Sequence, residues 1–191
     1  MIVVYGRTAI FIEATASRIK MEETAITGDL AAFESDVDKI LIRKARQLTE
    51  RIRDFRAGLY TIGGATERDI PRIQPVIATL QSLPESSFTW RYFNDRLRNE
   101  GLLQDVGIAP LQVLDIEELE ILESVLPRGV SLLEVLERRM ADPERRYISM
   151  KNFLIATMGE RGVNEYMLGR YQELGAHITD LLFPQERQGQ Q

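Results

Sequence analysis

The stretch Ile10-Phe11-Ile12-Glu13-Ala14-Thr15 runs three strand-forming apolar residues straight into a carboxylate. Two readings compete for Glu13. It is either the solvated end of an ordinary strand, or a carboxylate carried to the rim of a sheet for metal chemistry. Further along, Lys44, Gln47 and Arg51 follow one another at steps of three and four, a helical spacing that places them in one polar seam. Lys44 falls inside the apolar face set by Val37, Leu41, Leu48 and Phe55 rather than opposite it. Either its stem covers apolar surface while the ammonium reaches water, or Lys44 and Gln47 point over the sheet edge toward Glu13. The same segment carries further cations. Lys39, Arg43, Arg46 and Arg51 are the candidates for phosphate contact, although a charge run also serves as a plain solvated face.

Other constellations carry little chemistry. Ile62-Gly63-Gly64-Ala65-Thr66 lacks the pattern of a phosphate loop and reads as a turn. The acids from Asp115 to Glu123 read as a capped surface helix. Trp90, Tyr92 and Phe93 have the spacing of a packed helix. The chain holds one histidine, His177, and no cysteine, which excludes disulfides, thiolate zinc sites, cysteine nucleophiles and multi-histidine metal centres. A net charge of −5 gives no general affinity for nucleic acid, so any such binding needs a local basic face. No apolar run approaches the ~18 residues of a membrane span. The expectation is a cytoplasmic protein with no membrane contact.

These residues need elements to hold them. At 191 residues, 44% hydrophobic and 28% charged, the chain suits one sizeable core. Ile2 to Tyr5 and Thr8 to Thr15 read as a hairpin closed at Gly6-Arg7. Residues 16–35 read as a long polar loop, and a helix is expected from Asp36 to Phe55, closed by Gly58. Ile73 to Leu80 is a strand-type run ending by Pro84. A helix follows from Ser87 toward Gly101, then a strand from Pro110 to Leu114, and Asp115 with Glu118 forms a capping box for the helix from Ile116 to Leu126. Helices are expected over 132–140, 150–158 and 164–183. The fold class is α/β, a mixed sheet with packed helices, because helices bridge successive strands. The organisation expected is an α/β core over 1–126, a C-terminal helical subdomain over 127–184 and a loose tail over 185–191.

A hairpin whose second strand ends in IFIEATAS, followed by a helix containing Lys44-Ala45-Arg46-Gln47-Leu48, resembles the PD-(D/E)XK nuclease superfamily over about residues 1–115. The resemblance implies a restriction-endonuclease-like core, incomplete at its N-terminus. It implies DNA as substrate and Mg²⁺ as cofactor, with Glu13 as metal ligand and Lys44 and Gln47 as helix-borne catalytic partners. In that family two carboxylates hold the ion, which activates water, and a lysine stabilises charge. This sequence departs from the pattern. Thr15 stands where the family has its lysine, Met1 where it has its aspartate, and the helix and strand that normally precede the hairpin are missing. The expectation is a nuclease-like protein, related to metal-dependent DNA endonucleases, that is inactive as this chain alone. The alternative is a non-catalytic protein-interaction or assembly module on the same core, its partner another protein or a second copy of the chain.

Overall fold

The computed structural model describes residues 1–20, 23, 26–83, 87–126, 129–142, 145–146, 148–158 and 165–182. Strand β1 (Ile2–Tyr5) and strand β2 (Thr8–Thr15) pair antiparallel, with Tyr5 opposite Thr8 across the two-residue turn at Gly6 and Arg7. Gly6 takes a positive φ of 56°, which such tight hairpins favour. Strand β3 (Arg72–Thr79) runs parallel to β2, and β4 (Gln112–Asp115) runs parallel to β3. The four-stranded mixed sheet therefore has the order β1-β2-β3-β4, with helices on both faces.

Alternation along the strands divides two cores. Ala9, Phe11, Ile73, Ile77 and Val113 face one side, and Ile10, Val76 and Leu114 face the other. The first face is covered by a helical run in three parts: α1 (Leu30–Val37), a π-helical stretch (Asp38–Ile42) and α2 (Arg43–Arg56). Phe11 and Phe55 meet there at 6.0 Å between ring centroids. Burying each such side chain contributes roughly 1.5–3 kcal/mol. Helix α3 (Ser87–Asn99) completes this layer through Phe93 and Leu97. The second face is covered by α4 (Ile116–Val125), α5 (Leu132–Ala141) and α6 (Met150–Met158), whose Leu122, Leu136 and Phe153 pack on the sheet. Helix α7 (Glu165–Leu182) follows.

Helix boundaries follow local chemistry. Helix α1 starts six residues before the expected Asp36, because the Asp29 carboxylate accepts from the Ala31 and Ala32 N–H groups and caps it at Leu30. The polar stretch expected as loop through Ser35 thus contains a helical turn and a half. The capping box at α4 has both of its bonds: Asp115 Oδ1 accepts from Glu118 N at 2.8 Å, and Glu118 Oε2 accepts from Asp115 N at 3.1 Å. Pro75 sits in a central strand, where a missing N–H is costly. Ile73 exchanges hydrogen bonds with Gly107 and Ala109, so alternation turns the Pro75 nitrogen to that same side. The Gln74 amide bridges the gap there, donating to the carbonyls of Pro75 and Pro110 at 3.0 and 2.9 Å. The expected strand end at Pro84 and the tail over 185–191 lie outside the described residues.

Candidate functional site

Glu13 lies near the C-terminal end of β2, opposite Ile77 of β3, on the face that carries α2. Its side chain is 11% exposed and meets two cations. Arg51 Nη1 stands 2.6 Å from Oε1, and Lys44 Nζ stands 3.7 Å from Oε2. Helix geometry explains the pairing. At roughly 3.6 residues per turn, Lys44 and Arg51 are almost two full turns apart and project in nearly the same direction. Gln47 lies in the same seam, roughly 40–60° round the helix from them. It is exposed and makes no hydrogen bond with Glu13. The Lys44 side chain is 17% exposed, so its stem is largely covered while its ammonium turns to the carboxylate.

The other predicted cations divide. Arg46 is held by acids, 2.8 Å from Glu100 and 3.4 Å from Asp38. Arg96 joins the same network through Glu100 and Asp38, tying the π-helical stretch, α2 and α3 together. The Arg96 hydrogen bonds hold the Glu100 carboxyl below its ordinary range, with Arg46 adding to the effect. Lys39 and Arg43 are exposed one helical turn apart and form no ion pair among the described residues. Of the four phosphate-contact candidates, these two leave their charge to solvent, whereas Arg46 and Arg51 spend theirs on carboxylates.

The two positions where the family pattern is broken are both engaged with backbone. Thr15 is buried and its Oγ1 accepts from the Ser17 N–H at 3.2 Å. Met1 lies beside Ile12, exchanging backbone hydrogen bonds at 2.9 Å in both directions. A Mg²⁺ ion does not fit the donor set around Glu13. Both of its oxygens face cations, and no cluster of three or more histidine, aspartate or glutamate side chains able to hold a metal forms among the described residues.

A second polar cluster gathers where β3 and β4 end. Asp115 Oδ2 accepts from the Ser82 hydroxyl, and Thr79 Oγ1 donates to the Gln81 carbonyl at 3.0 Å. Glu118 is 6% exposed, and its Oε1 accepts from the Met150 N–H, tying α6 to α4. Burial pushes the Glu118 carboxyl above its ordinary range, against the lowering influence of the Asp115 N–H and the Arg139 charge. This cluster fastens helices rather than presenting a reactive group.

The sequence reading placed Arg51 among phosphate contacts. Its seven-residue separation from Lys44 puts the two on one face of α2 but does not choose a carboxylate over a phosphate as their partner. Among the described residues no helix is long and apolar enough to cross a membrane. No protein-family model, curated protein or solved structure matches the chain.

Proposed function

We propose that the chain is a nuclease-like protein, related to metal-dependent DNA endonucleases, that does not itself cleave DNA. The observation that carries this reading is the pair of cations on Glu13, with Arg51 at 2.6 Å and Lys44 at 3.7 Å. The carboxylate at the position where the family holds its metal is neutralised by α2. Mg²⁺ keeps several of its waters and needs well-placed anionic oxygens, and a carboxylate shared by two cations is a poor nucleus for such a site. Thr15 brings no positive charge to a developing phosphate anion. Under this reading DNA contact falls to Lys39 and Arg43.

The test is incubation of the purified chain with plasmid and linear DNA in Mg²⁺ or Mn²⁺, beside a Glu13→Ala control. No cleavage is expected from either protein. Cleavage that disappears in the control overturns the reading.

One observation favours the alternative, a non-catalytic interaction or assembly module. Helix α7 exposes Leu168, Tyr171, Leu174 and Ile178 at helical spacing, with exposures from 45% to 67%. Sedimentation of the chain and of a Leu174→Lys variant separates the two readings. A concentration-dependent assembly lost in the variant favours the module.

A further inference from the structure

Strand β1 is one edge of the sheet, with β2 on one side and, among the described residues, no strand on the other. Its hydrogen-bond phase is fixed at both ends. Met1 and Ile12 exchange both backbone bonds at 2.9 Å, and Tyr5 and Thr8 face each other across the two-residue turn. In an antiparallel ladder such bonded pairs alternate with unbonded ones. Val3 therefore bonds Ile10, while Ile2 and Val4 turn their N–H and C=O groups away from β2. No described residue on the open side bonds these four groups.

The side chains leave this edge unguarded. Met1, Ile2, Val3, Val4 and Tyr5 include no charged side chain and no proline, the residues that usually keep a free edge from pairing. Ile2 packs against one core and Tyr5 against the other, but Val3 and Val4 join neither. Val4 is 41% exposed and Met1 71%. The free groups follow one another as the donor and acceptor of Ile2, then the donor and acceptor of Val4. A two-fold axis through Val3, normal to the sheet, sets that row against its own copy, donor to acceptor. Ile2 then exchanges both bonds with Val4 of the second copy, Val4 does so with its Ile2, and no group on the edge is left over. The partial charges of the edge are complementary to themselves.

We propose that two copies of the chain pair antiparallel through β1, joining their sheets into one of eight strands, four from each copy. Sliding the pairing so that Ile2 faces Ile2, or Val4 faces Val4, would use only half of the groups, so one register is singled out. Four residues a side cover far less than the ~800 Å² per partner of a stable interface, so association is weak and concentration-dependent. Neither Glu13 nor α7 enters the inference.

Sedimentation equilibrium of the full chain should show monomer giving way to dimer as concentration rises. Val4→Pro removes one outward N–H from each copy, and with it half of the bonds between copies, but takes no bond from β2. It should weaken the dimer roughly 10-fold or more, while the dilute monomer keeps its melting temperature. Val4→Lys leaves the backbone intact and should weaken the dimer as well, because it charges the edge. Amide exchange gives a reading specific to this edge. In dilute solution the Val3 and Tyr5 amides should be protected and those of Ile2 and Val4 exposed; at high concentration all four should be protected. Leu174→Lys should leave the dimer unchanged. The proposal is overturned if the chain stays monomeric at its highest soluble concentration, or if Val4→Pro and Val4→Lys associate as the parent does. It is equally overturned if the Ile2 and Val4 amides stay unprotected in the dimer, or if Leu174→Lys abolishes association.

Discussion

Arg51 Nη1 lies 2.6 Å from Glu13 Oε1, joining the last third of β2 to the middle of α2 through an ion pair whose acid is almost covered. Lys44 holds the second oxygen, so the two cations share one anion. A double-mutant cycle on Glu13→Gln and Arg51→Ala should give a coupling of about 1 kcal/mol in urea unfolding, because Arg51 is 44% exposed and partly screened. The coupling should shrink in high salt. A coupling of zero in low salt would mean that the pair does not fasten the strand to the helix.

Glu118 gives stability a slope with pH. Its folded carboxyl titrates above the ordinary glutamate value because it is buried, so over the interval between the two values the folded state binds more protons than the unfolded state. The contribution is complete below the ordinary value and is lost as pH rises through the raised one. Glu100 acts in the opposite sense, since its lowered carboxyl contributes above the ordinary value and fails as pH falls through the depressed one. Urea midpoints measured from the ordinary glutamate range to neutrality should therefore decline less steeply in Glu118→Gln than in the parent. An unchanged slope would assign the pH dependence elsewhere.

Gly107 admits no side chain. Its φ is +80°, and a Cβ built there would stand 2.5 Å from the Pro71 carbonyl oxygen, a backbone atom that cannot swing aside. Its own carbonyl accepts from the Ile73 N–H at 2.9 Å, which fixes the connector leading to β4. Gly107→Ala should destabilise the chain by roughly 2–3 kcal/mol in thermal or urea unfolding. A loss within a few tenths of a kcal/mol would show that the connector relaxes freely.

Elements governed by local chemistry were legible in the sequence. The β1–β2 hairpin could be read from alternation and a Gly-Arg turn, and the start of α4 from Asp115 and Glu118 three residues apart. The early start of α1 was not, because Leu30 to Val37 mixes apolar residues with Glu34, Ser35 and Asp36 and its signal rests on the single cap Asp29. For the site, the direction of Lys44 was legible as a cation within an apolar face. The capture of Arg51 by Glu13 was not, since the choice between phosphate and carboxylate depends on how far α2 lies from β2.

The π-helical stretch at Asp38–Ile42 places three consecutive residues, Ile40, Leu41 and Ile42, all in the core. A regular helix turns each neighbour by ~100° and cannot bury three in a row as evenly. The stretch works as a phase shifter between α1 and α2. Deleting one residue within it would leave an unbroken helix, yet everything on one side would rotate by about 100° relative to the other. Either α1 would withdraw Ala32 and Val37 from the buried interior, or Lys44 and Arg51 would turn off Glu13. The sequence in this region is therefore free to change in identity far more than in length, and the spacing from Asp29 to Arg51 is what a working copy of this fold has to keep.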